Sequence, residues 1–128
     1  MNFSNHNSIL EQLLSGLIEP FAHTNFENKK QPFIEVKKRD LFSICEYLKR
    51  TKGLYFDFLN CISAVDEGEN YELWYHLSSI PLEHSFILKV NLPKNEKPEI
   101  QSISSIWKTA DWHEREAYDL MGIEFLNP

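Results

Sequence analysis

The chain reads as a two-layer α+β domain, a mixed sheet of four to five strands with helices packed on one face. Three observations predict this. Apolar residues alternate with polar ones in three runs, around Ile34 and Val36, from Tyr71 to Leu77, and from Phe86 to Leu92, the period of half-buried strands. Three other segments, residues 8–19, 41–51 and 111–121, repeat apolar residues at helical spacing. The order helix, strand, helix, three strands, helix places a strand–helix–strand unit before a meander, which requires parallel and antiparallel pairing in one sheet.

Residues 8–19 align Ile9, Leu10, Leu13, Leu14, Leu17 and Ile18 on one helical face. Ser8 and Glu11 form a capping box, and Pro20 closes the helix. Residues 20–31 read as a polar connector. In residues 32–38, Ile34 and Val36 point one way and Glu35 and Lys37 the other. Asp40 is placed to cap a helix over 41–51, whose buried stripe is Leu41, Ile44, Cys45 and Leu48. Lys49, Arg50 and Lys52 suit its C-terminal end, and Gly53 suits a left-handed position beyond it. Residues 54–65 are aromatic and β-branched, a strand expected to bend or bulge midway. Residues 66–69 are a turn, and residues 93–99 a charged loop. Ile103, Ile106 and Trp107 suggest a helical turn. Asp111 is then expected to cap the last helix, with Glu114 completing a second capping box and Gly122 ending it.

A length of 128 residues is one ordinary domain, and 42% hydrophobic content marks it as globular. The net charge of −6 argues against a general nucleic-acid binder. Charge is uneven, however. Residues 29–52 hold eight Lys/Arg against three acids, and residues 101–128 two against five. Cys45 and Cys61 are expected to be free core thiols in a reducing compartment. No signal peptide and no apolar run of membrane-spanning length is recognisable in the sequence.

The chemistry concentrates in residues 107–125, which hold two Trp, one Tyr, five acids, an Arg and a His. His113-Glu114 begins like a zinc-protease helix, but that motif needs a second His where Ala117 stands. No phosphate loop, nucleophile elbow or iron–sulfur spacing occurs, so no catalytic, cofactor-binding or metal-ligating residue is assigned. Glu114 and Glu116 lie about 200° apart on a helix and do not converge on one substrate. Arg115 is four residues from both Asp111 and Asp119, which predicts an ion-paired ladder. Ala117, Leu120 and Met121 are expected inside, leaving Trp112, Glu116 and Tyr118 for a partner surface.

Trp107, Ala110, Trp112, Glu114-Arg115-Glu116, Tyr118-Asp119-Leu120, Gly122-Ile123 and Phe125 together closely resemble the signature of the 30-kDa subunit family of respiratory complex I, the C (30-kDa) subunits of the bacterial NADH-quinone oxidoreductases. The resemblance extends over roughly residues 30–126. It implies a non-catalytic hydrophilic subunit of a proton-translocating NADH:quinone oxidoreductase, without enzymatic activity of its own. FMN, iron–sulfur clusters and quinone would belong to partner subunits. The chain would pack on the D (49-kDa) and B subunits of the peripheral arm, on the cytoplasmic side of the bacterial inner membrane, and meet the membrane only through the complex. Related subunits occur in membrane-bound hydrogenases and other complex-I-like assemblies, which is the first alternative. By this resemblance Trp107, Trp112, Glu114, Arg115, Glu116, Tyr118, Asp119 and Gly122 form the partner interface. The family pattern continues with a GHPDLRR-like stretch and a basic tail. Here the sequence reads Leu126-Asn127-Pro128, so the tail is expected to be absent from a domain spanning residues 1–128. A further alternative, from charge alone, is an RNA- or lipid-binding module using Lys37, Lys38, Lys49 and Arg50.

Overall fold

The computed structural model describes residues 23–25 and 33–128. The helix expected over residues 8–19 lies outside them. The described elements are β1 (His23–Asn25), β2 (Phe33–Val36), a 3-10 turn (Lys38–Asp40), α1 (Leu41–Arg50), β3 (Phe58–Asp66), β4 (Asn70–Ser79), β5 (His84–Pro93), β6 (Glu99–Gln101), α2 (Ala110–Met121) and β7 (Glu124–Leu126). Five strands form one sheet in the order β1-β2-β5-β4-β3. The β2–β5 pair is parallel and the other three pairs are antiparallel, so the sheet is mixed as expected.

Alternation sets which way this sheet faces. Leu73, Tyr75 and Leu77 of β4 stand opposite Val90, Leu88 and Phe86 of β5, and all six are buried. They join Leu41, Ile44, Cys45 and Leu48 of α1 in one core with Ile103, Ile106, Trp107 and Ala110. Each fully buried aliphatic side chain contributes about 1.5–3 kcal/mol, an upper bound against a compact unfolded chain. On the opposite face Lys89 sits between Glu35 at 3.7 Å and Glu72 at 3.5 Å, with its ammonium 5.2 Å from the Trp74 ring centroid.

Several boundaries differ from expectation, each for a physical reason. The polar connector contains β1, a three-residue strand whose pairing is made by backbone and carries no apolar period. The strand expected over 54–65 begins at Phe58, because residues 51–56 fold back on the end of α1. Leu54 N–H and Tyr55 N–H donate to Thr51 O, and Phe56 N–H to Leu48 O. Leu54 and Phe56 are apolar because they enter the core from this turn. The expected bulge is present, as a register shift between Leu59 and Cys61. Asp40 makes no side-chain cap; it ends a 3-10 turn that runs straight into α1. Gly53 has φ +92°, but α1 already ends at an extended Thr51.

The charged loop leads into β6, which pairs in parallel with β7 across α2. Gly122 ends α2 in the left-handed conformation (φ 72°, ψ 18°), its N–H donating to Tyr118 O at 2.8 Å. That turn aims residues 124–126 back along β6.

Candidate interaction surface on the last helix

Residues 103–114 are clamped to the rest of the molecule before α2 presents anything outward. Trp107 is 4% exposed, and its indole Nε1–H donates to Phe56 O at 3.0 Å. Thr109 Oγ1 donates to Leu59 O at 3.2 Å, and Lys49 Nζ to Ile106 O at 2.6 Å. The start of α2 is therefore fixed to both β3 and α1.

Glu114 is the second anchor. It is not at the helix start closing a capping box, for α2 begins at Ala110 and its N-cap Thr109 makes no side-chain cap bond. Its carboxylate, buried at 4% exposure, turns toward the preceding loop instead. Oε1 accepts from Ser102 Oγ at 2.7 Å and Oε2 from Ile103 N–H at 2.9 Å. Burial raises the Glu114 pKa above the usual carboxylate range, against the lowering effect of these two hydrogen bonds. Burial also pushes up the Cys45 thiol and the Tyr75 hydroxyl, and the Glu114 charge adds to both.

A raised carboxyl pKa means that the folded state retains a proton that the unfolded state has already released. This group's stability contribution is therefore largest below the unfolded pKa and falls as pH rises toward the folded value. Glu114→Gln keeps an acceptor for Ile103 N–H and a donor for Ser102 Oγ while removing the charge. Urea midpoints measured from pH 4.5 to 7 should show the wild type losing ground to Glu114→Gln as pH rises. Glu114→Ala leaves Ile103 N–H unpaired and should cost about 1–3 kcal/mol at every pH. Parallel wild-type and Gln profiles would refute the charge penalty.

The remaining side chains divide by helix position. Trp112 is 60% exposed and Tyr118 is also exposed. Arg115 donates to Asp111 at 3.1 Å, but no bond to Asp119 forms, so the expected ladder is a single pair. His113 Nδ1 lies 4.0 Å from Glu116 Oε1. Ala117 is buried and Met121 half-buried, whereas Leu120, expected inside, is 81% exposed. Trp112, Glu116 and Leu120 follow one another at four-residue spacing and form one outward ridge. Sequence reasoning missed Leu120 as a surface residue; its spacing of eight from Trp112 was the available signal. Thus Trp107 and Glu114 support the helix from within, while Trp112, Arg115, Glu116, Tyr118 and Asp119 lie on its surface. A groove of about 470 Å³ runs between α2 and β7, lined by Asp111, Arg115 and Tyr118 on one side and Phe125 and Leu126 on the other.

Of the four basic residues named above, Lys37 is exposed and the other three have partners within the chain. Lys49 holds Ile106 O, Arg50 lies 3.7 Å from Glu46, and Lys38 lies 3.8 Å from Glu96. Among the described residues, no group of three or more His, Cys, Asp or Glu gathers as around a metal ion, and no helix is long and apolar enough to cross a membrane.

The family model of the respiratory-chain NADH dehydrogenase 30 Kd subunit matches residues 34–128. The chain belongs to this family. Within it, the C 2 subunit of the NADH-quinone oxidoreductase of Rhizobium etli is 39% identical over 88 residues, 66% of this chain and 46% of that protein. The C-type subunit of the F(420)H(2) dehydrogenase of Methanosarcina mazei is 35% identical over 122 residues, 94% of this chain and 75% of that protein. The chain spans about half the length of the Rhizobium relatives it matches. Its fold is that of the trypsin-resistant fragment (1-134) of Nqo5, with a TM-score of 0.77 at 21% identity over 96% of each chain. The same fold occurs in the membrane-bound sulfane sulfur reductase, an archaeal respiratory membrane complex (TM-score 0.78, 22% identity, 94% of this chain and 70% of that one). The α2 residues singled out above therefore lie inside the matched region of a 30-kDa subunit.

Proposed function

We propose that this 30-kDa family member is a non-catalytic subunit of a proton-translocating NADH:quinone oxidoreductase. It supports assembly and electron transfer by packing on the D (49-kDa) and B subunits. The observation that carries this is the Trp112–Glu116–Leu120 ridge, two exposed apolar side chains flanking a carboxylate on a helix fixed from behind by Trp107 and Glu114. A helix held this rigidly loses little further entropy on docking. In this reading the chain binds no FMN, iron–sulfur cluster or quinone itself. It sits on the cytoplasmic side and meets the membrane only through the complex.

The test is co-expression of the tagged chain with its D- and B-type subunits. Wild type should co-purify with both, and Arg115→Ala, which removes an exposed guanidinium from the docking helix, should lower recovery about two- to fivefold, the range for one exposed ion pair made across the interface. Failure of the wild type to bring down either subunit would overturn the assignment.

The similarity to the F(420)H(2) dehydrogenase protein over 94% of the chain favours a second reading, membership of a complex-I-like assembly with another electron donor. Quinone-analogue reduction by the purified assembly, driven by NADH or by reduced deazaflavin, separates the two.

A further inference from the structure

Among the described residues the two-stranded sheet has an open edge, and it faces the groove beside α2. In the parallel β6–β7 pair, Glu124 N–H donates to Pro98 O and Ser102 N–H donates to Leu126 O. Residues 124 and 126 therefore turn their backbone groups toward β6. Phe125, between them, directs its N–H and C=O away from β6, and among the described residues β7 has no second partner strand. The groove on that side is walled by Asp111, Arg115 and Tyr118, one face of α2.

Such an edge is chemically specific. A half-buried backbone N–H and C=O left without a partner is costly, and a two-stranded sheet of three residues per strand is short of support. An extended backbone satisfies both, and exposed edges template added strands. Three residues of strand span roughly 10 Å, a length that a groove of about 470 Å³ accommodates. The charged residues lining the groove are three acids, Asp111, Glu114 and Glu124, against the single Arg115, which favours Lys or Arg over Asp or Glu in whatever enters. Exposed Tyr118 and Leu126 offer apolar contact to alternate side chains.

We infer that the β7 edge receives an extended segment of a partner protein, a strand with basic side chains that completes a three-stranded sheet beside α2. The inference rests on the chain being a subunit of an assembly; it adds a backbone-mediated contact distinct from the Trp112 ridge.

The experiment compares amide hydrogen exchange at Phe125 in the isolated full chain and in the native complex purified through a tag on this chain. The Phe125 amide should exchange quickly in the isolated chain and at least about 100-fold more slowly in the complex, as expected for a newly paired strand amide. Slow exchange in the isolated chain, or fast exchange in the complex, overturns the inference. Two variants separate strand pairing from mere coverage. Phe125→Ala keeps the N–H, and Phe125→Pro removes it at an edge position where proline is tolerated. Their isolated chains should melt alike, while Phe125→Pro should reduce complex recovery about tenfold more than Phe125→Ala. Equal losses would show that no backbone bond is made. If the complex forms while Phe125 stays unprotected, the assembly role stands and only the added strand fails.

Discussion

Replacing Trp107 by alanine should lower the unfolding free energy by about 3–5 kcal/mol, the range for removing a buried large aromatic side chain. Its indole is 4% exposed and packs in the core shared by α1, β4 and β5. The loss has two parts. A cavity opens beneath the start of α2, and Phe56 O loses the donor that held it at 3.0 Å. Trp107→Phe separates them, because it refills most of the space but supplies no N–H. That variant should cost about 1–3 kcal/mol from the unpaired carbonyl and the smaller ring. Urea denaturation of the three proteins gives both values. Equal stability of Trp107→Ala and wild type would mean that this side chain does not hold the last helix in place.

Trp112 should behave in the opposite manner. It is 60% exposed and makes no hydrogen bond among the described residues, so Trp112→Ala should change stability by no more than about 0.5 kcal/mol. If its ridge is the docking surface, the same change should weaken association with the partner subunit by about 2 kcal/mol, or roughly 30-fold. Leu120→Ala, on the same ridge, should have a smaller effect in the same direction. Titration of the purified partner against each variant measures it. A Trp112→Ala protein that binds as tightly as wild type would remove the ridge from the interface. Trp107→Ala tests support from behind and Trp112→Ala tests contact in front, and only the first should show in the melting curve.

Legibility in the sequence followed the kind of partner each residue has. Strands β2, β4 and β5 were readable because one face of each enters a core, and burial imposes a period of two on the side chains. The four buried positions of α1 were readable for the same reason at helical spacing. Strands β1 and β6 were not, since three-residue strands pair through backbone and leave no side-chain period. The candidate surface was half readable. Trp112, Glu116 and Tyr118 fell on the outward side as expected, but Leu120, expected inside with Ala117 and Met121 from helical spacing, is exposed. Glu114 shows a different limit. Asp111 and Glu114 satisfy the local pattern of a capping box, yet Glu114 bonds to Ser102 and Ile103, partners that no helix-start rule contains. Asp40 is a parallel case, a residue suited to capping that the 3-10 turn carries past the position where it would cap. The family signature marks these residues without distinguishing the ones that hold the helix from those that display it.

The pairing of β6 with β7 also bears on the order in which the chain organises. Helix α1 and the β3–β4–β5 meander are assembled largely from neighbours in sequence, whereas Ser102 must find Leu126 across the whole of α2. Closing that loop costs entropy before its own few backbone bonds repay any of it. The meander and α1 thus offer a prepared surface on which Trp107 and Glu114 set the direction of α2, and the last strand closes afterwards. The element that faces outward is, on this account, among the last to become rigid.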